Sequence, residues 1–157
     1  MQSTFKKTRK KIILWLFEHS QTIYTKWFKK KVQAWNISKA ELMAFPKNTF
    51  GKKLGEFLIQ NNFEILPKLE RHDCYHVLTN YKTEVQDEIA LQYLCFGNGK
   101  RSVYLFGVIF LGTLLLPDYY KYYLKSYKKG KQANVFYNFD FKKMLLLDFE
   151  TIQTIIF

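Results

Sequence analysis

Breakers of regular structure are scarce in this chain, and nothing else in it limits the fold as much. Its 157 residues hold three prolines, Pro46, Pro67 and Pro117, and seven glycines. Proline removes a backbone donor and glycine loosens the backbone, so a chain poor in both favours long uninterrupted helices over a glycine-dependent phosphate-binding fold. The punctuation that remains falls between helical segments. Ser38-Lys39-Ala40-Glu41 has the form of a capping box and predicts a short helix, which Pro46-Lys47-Asn48 interrupts. Leu54, Phe57 and Leu58 sit at helical spacing, and Asn61-Asn62 ends that segment. Pro67 suits the first turn of a helix running to about Asn80. Thr83-Glu84-Val85-Gln86 has the form of a second capping box, opening a helix from Thr83 to about Phe96, and Gly97-Asn98-Gly99 is a turn. A helix over Asp118–Lys129 follows, with Gly130 in the position just past its end. The last stretch, to Phe157, reads as helix, although its aromatic and β-branched content also suits a strand. The expectation is an all-α, single-domain helical bundle.

Between the last two turns lies the apolar run Val103–Leu116. A spanning helix needs about 20 apolar residues and runs of about 10–14 are more often buried, so this one is expected to be the central helix of a bundle. Two cysteines, Cys74 and Cys95, make no disulfide framework and point to a reducing compartment.

The net charge is +12, from 25 basic and 13 acidic residues, and it is unevenly placed. Residues 1–33 carry nine basic groups and one acid, a local charge of +8. Over Phe5–Lys31, Ile12, Leu16, Ile23 and Trp27 form one helical stripe, widened by Ile13, Phe17, Tyr24 and Phe28, with Leu14 and Trp15 as misfits. Lys7, Lys11, Lys26 and Lys29 lie opposite. A basic amphipathic helix with Trp on its apolar side is the pattern of a segment lying on a membrane surface, with Lys7, Lys11, Trp27 and Lys29 as contacts. Residues 1–33 are therefore set apart from a helical lipid- and metal-binding domain over 34–157. A second basic group, Lys121, Lys125, Lys128, Lys129 and Lys131, is interleaved with tyrosines. Nucleic acid is not an expected partner, because the N-terminal aromatics fall on the apolar side and not among the lysines.

Chemistry concentrates at His72-Asp73-Cys74-Tyr75-His76. Histidines four apart share a helix face and can reach one metal ion, or can simply pair with each other. Asp73 borders that face, while Cys74 points away and is expected to be inert packing. The string invites comparison with HExxH metalloproteases, with Asp73 as base, but Asp reaches less far than Glu and no peptide cleft is evident. On one continuous helix Glu88 would lie about 18 Å beyond His76. A stop near Asn80 and a restart at Thr83 predict an antiparallel helix pair, which folds Glu88 back towards His76, with Glu84 on the same face as runner-up. Two imidazoles with two carboxylates suit zinc, iron, manganese or cobalt.

His72-Asp73-x-x-His76, followed by eleven residues and Glu88, resembles the signature of the coenzyme Q (ubiquinone) biosynthesis family that is fourth in the Coq series. His76–Gln92 resembles the adjoining family segment, with Asn80 where many members have glycine; Asn48–Phe57 and Pro117–Ala133 are similar to its flanks, so the resemblance covers about 44–133. It implies an all-helical protein that binds polyprenyl lipid between helices on a membrane face. It implies His72, Asp73, His76 and Glu88 as metal ligands. The implied activity is a metal-dependent decarboxylase/hydroxylase that replaces the C1 carboxyl of a prenylated benzoate with hydroxyl; the alternative is a non-catalytic lipid-binding scaffold for other quinone-biosynthesis proteins. A prenylated quinone precursor or polyprenyl lipid would lie in an apolar groove lined by Tyr93, Phe96, Tyr104, Phe106 and Phe110. The implied location is peripheral, on the inner face of a bacterial membrane or on the mitochondrial inner membrane.

Overall fold

A computed structural model describes residues 7–15, 34–66 and 70–157. The described residues are helical, with no strand among them beyond one isolated bridge between Thr49 and Asp148. The α-helices are α1 (residues 7–15), α2 (Lys39–Ala44), α3 (Phe50–Gln60), α4 (Glu70–Thr79), α5 (Val85–Gly97), α6 (Val103–Leu115), α7 (Tyr120–Gln132) and α8 (Phe149–Ile156). Short 3₁₀ turns cover Pro117–Tyr119 and Phe141–Met144. The chain divides into two compact units, Met1–Lys30 with Tyr81–Tyr137, and Lys31–Asn80 with Asn138–Phe157.

The first unit is built on α5, α6 and α7. Ile13 of α1 joins Val85, Ile89, Ala90, Tyr93, Val108, Leu116 and Tyr123 in its core. The sequence stripe on α1 therefore holds at Ile13 but not at Ile12, which is half exposed beside the exposed Leu14 and Trp15; its continuation from Leu16, including Trp27 and Lys29, lies outside the described residues. Helices α5 and α7 approach closely. A Cβ on Gly97 would strike the backbone of Tyr127, and one on Gly130 the carbonyl of Leu94. Gly130 is thus not the residue past the end of α7, which runs on to Gln132; its lack of a side chain lets two backbones touch. Asn98 closes this junction, donating from Nδ2 to the carbonyls of Gly130 and Asn134 at 3.1 Å while its Oδ1 accepts from the amides of Phe136 (2.9 Å) and Tyr137 (3.0 Å).

Helix α6 departs most from expectation. Leu105, Val108 and Gly112 are buried, but Val103, Phe106, Phe110 and Leu114 are 72%, 46%, 69% and 66% exposed. It is apolar all round yet covered on one face only. No described helix is long and apolar enough to cross a membrane, and at Pro117 the chain turns through 102° into the next helical segment.

The second unit centres on Phe50, whose ring stacks on Phe141 at 5.6 Å and Phe149 at 6.3 Å. Its amide donates to the carbonyl of Leu147 (2.9 Å), and that of Gly51 to Leu145 (2.8 Å), so the C-terminal segment is tied across the start of α3. The last stretch is helical, as read, in a 3₁₀ turn and α8, which Asp148 caps by accepting from the Thr151 amide at 2.8 Å. The Ser38 capping box forms as expected. The Thr83 one does not: the N-cap is Glu84, without a side-chain bond, and α5 starts at Val85.

Candidate metal centre

Helix α4 is fixed at both ends. Its first described residue, the buried Glu70, accepts a hydrogen bond from the Trp35 amide at 2.9 Å, and Arg71 donates to the carbonyl of Phe139, while Pro67, expected in the first turn, lies outside the described residues. At the other end the Asn80 amide donates to the carbonyl of His76 at 2.9 Å, and Asn80 takes a positive φ of 61°. That left-handed backbone is open to asparagine as well as to glycine, so an Asn at this stop is compatible with the turn.

On the face between these ends stand His72 and His76. Their Nε2 atoms are 3.1 Å apart, with ring centroids at 4.8 Å and planes at 84°. His76 is buried and lies flat against Phe57, at 5.7 Å and 15°, which fixes its plane. At 3.1 Å the two rings are at hydrogen-bonding distance from each other, which is close to the about 3.4 Å between two nitrogens bound about 2.1 Å from a tetrahedral zinc.

Glu88 sits in the first turn of α5, its amide donating to the carbonyl of Glu84 at 2.9 Å. Next to it Asp87 accepts a hydrogen bond from the Tyr122 hydroxyl at 2.6 Å. Burial first, and then Asp87, push the Tyr122 phenol far above its ordinary pKa, so it stays protonated and keeps donating. The tie holds the first turn of α5 against α7.

His72, His76 and Glu88 are the group among the described residues that could hold a metal ion. Asp73 is half-buried and is not one of these three. The runner-up, Glu84, is exposed and lies 4.0 Å from Lys10. Cys74 is buried, and burial pushes its thiol well above the ordinary range, so it remains a neutral packing group. Two nitrogens and a carboxylate are ligands for zinc and its neighbours in the first transition row, and a three-ligand set leaves a coordination position for substrate or water. The residues present therefore fit a divalent metal.

The aromatics expected to line a groove differ in exposure. Tyr93 is buried, stacked on Tyr123 at 5.3 Å, with its hydroxyl 2.8 Å from that of Thr113. Tyr104 packs on the same core. Phe96 meets Phe106 edge-on at 5.6 Å under the Arg101 guanidinium, while Phe110 faces outwards. Lys7 and Lys11 are exposed on α1. Sequence reasoning missed Phe57 as the support of His76, having read it only as a helix-packing position. It also missed Tyr122 as the partner of Asp87, since nothing in a Tyr-Lys run marks one hydroxyl for burial.

The family profile described as "Coenzyme Q (ubiquinone) biosynthesis protein Coq4" matches residues 65–156, which contain all four proposed ligands and extend further towards the C-terminus than the motifs traced above. A crystal structure of a protein from Nostoc punctiforme PCC 73102, provisionally assigned to ubiquinone biosynthesis, is similar in fold: TM-score 0.65, 14% identity, covering 98% of this chain and 81% of that one. No curated protein sequence matches at a significant level.

Proposed function

The chain belongs to the Coq4 family of coenzyme Q (ubiquinone) biosynthesis proteins, and from that premise we propose that it binds a prenylated ring precursor at a membrane surface and carries out metal-dependent oxidative decarboxylation at C1 of the ring. The observation that carries this reading is the His72–His76 pair, its ring nitrogens 3.1 Å apart on one face of α4. We assign His72, His76 and Glu88 as ligands, with Asp73, at the border of the same face, as a further one. A divalent metal held there would supply a Lewis acid for the ring carboxylate or phenolate and, with a redox-active ion such as iron, manganese or cobalt, a centre for oxygen activation. The chain's own contribution is to present two imidazoles on one face of α4, the plane of His76 set against Phe57, and to offset the ion's charge with the Glu88 carboxylate.

The exposed stripe Val103, Phe106, Phe110 and Leu114 supports contact with a bilayer, since apolar area of this kind is stabilised by leaving water. It also favours the second reading, a non-catalytic lipid-binding scaffold working with other quinone-biosynthesis proteins. One experiment separates the two. In a host lacking its own family member, Glu88→Ala that is folded but fails to restore quinone synthesis supports the enzyme; full rescue by the same variant supports the scaffold. Mass spectrometry of lipid carried through native purification identifies the ring and tail.

A further inference from the structure

Helix α5 has two sides. Asp87 and Gly97 meet α7, and Ile89 and Tyr93 meet α6. Glu88 lies on the opposite side, and Gln92, four residues on, shares its face. Gln92 is only 3% exposed, flanked by the fully buried Leu91 and Cys95. Its Oε1 is buried and has no hydrogen-bond partner among the described residues. A buried carboxamide oxygen without a partner is destabilising, and a donor that arrives with a ligand would relieve it. Gln86, also with a buried unpartnered oxygen, lies on the other side of the helix and does not share this face.

We propose that Gln92 recognises the substrate ring. Resting on the metal-centre reading above, the assignment is that its carboxamide oxygen accepts a hydrogen bond from a ring hydroxyl of the prenylated aromatic acid. One helical turn, about 6 Å, separates Glu88 from Gln92 along α5. That is comparable to the span of an oxygen-substituted benzene ring, so a ring bound near Glu88 presents a second oxygen to Gln92. The fully buried Leu91 and Cys95 flank it, so Gln92 is a single polar group in apolar surroundings. Gln92 is then a specificity-determining residue and holds no metal.

The test compares binding of a short-tailed prenylated hydroxybenzoate with that of the same prenylated benzoate lacking its hydroxyl, by calorimetry on zinc-loaded full-length protein. Wild type is expected to prefer the hydroxylated ring by about tenfold. Gln92→Met is expected to bind both rings equally while keeping wild-type zinc affinity. Equal binding of the two rings by wild type overturns the proposal, and so does a preference that survives in Gln92→Met. Should that variant fail to fold, the wild-type comparison still decides. Wild type that takes up no zinc overturns the metal-centre reading itself; zinc uptake with no hydroxyl preference overturns only the role of Gln92.

Discussion

At the scale of single residues, the proposed ion ligands and the groups packed beside them should respond differently to substitution. Phe57 touches His76 without being a ligand. Phe57→Leu is expected to lower zinc affinity by roughly tenfold, as loss of support around a ligand does, with the helical circular-dichroism spectrum retained. The cysteines behave oppositely. Burial pushes the Cys95 thiol up from 9.0 to about 11 and raises that of Cys74 as well. In the unfolded chain both thiols ionise near 9.0, while in the folded chain they keep their protons. Their contribution to stability is therefore complete below about pH 8 and declines as pH rises from 9 towards 11. Denaturant unfolding should show that decline, and Cys74→Ala/Cys95→Ala should reduce it between about pH 9 and 10, below the range where the buried tyrosines add their own. Both thiols should also resist alkylation at neutral pH until the protein unfolds.

At the scale of elements, glycines sort by what stands over them. Gly130→Ala forces a Cβ into the carbonyl of Leu94, in backbone that cannot swing aside, and should destabilise by about 3 kcal/mol. Gly107 of α6 has nothing within 4 Å, so Gly107→Ala should stabilise by about 0.5–1 kcal/mol through helix propensity. Thermal unfolding of the two variants checks both signs. The same contrast explains what the sequence could disclose. Local chemistry was legible: the Ser38 box closes on its own neighbours, and the stop at Asn80 needs only one residue with positive φ. Gly130 was misread because a glycine that permits close helix approach looks, in sequence, like one that ends a helix. Thr83 was misread because a capping pattern does not reveal that the chain turns one residue later. Of the candidate site, the two imidazoles were readable from their spacing alone. Phe57 and Tyr122 were not, because both partnerships link residues far apart in the chain, 19 residues for Phe57 with His76 and 35 for Tyr122 with Asp87.

At the scale of the whole molecule, composition suggests that the most apolar helix is central, whereas Val103, Phe106, Phe110 and Leu114 leave one face of it exposed among the described residues. An apolar helix can be hidden by protein or by lipid, and sequence does not distinguish these. The account expects the chain, at net charge +12, to sediment with anionic vesicles through apolar contact at α6 and lysine contact beside it. Phe110→Asp/Leu114→Asp should abolish sedimentation at physiological salt while leaving metal content unchanged; binding that survives in this variant would remove α6 from the membrane surface.

The claim beneath all of this is that His72, His76 and Glu88 hold one cation. Equilibrium dialysis against zinc and against manganese, followed by elemental analysis, measures it directly. The account predicts one ion per chain in the wild type, none in His76→Ala, and at least a 100-fold weaker uptake in Glu88→Gln, all three proteins folded. Wild type that stays empty at saturating metal, or His76→Ala that fills as completely as wild type, would contradict it.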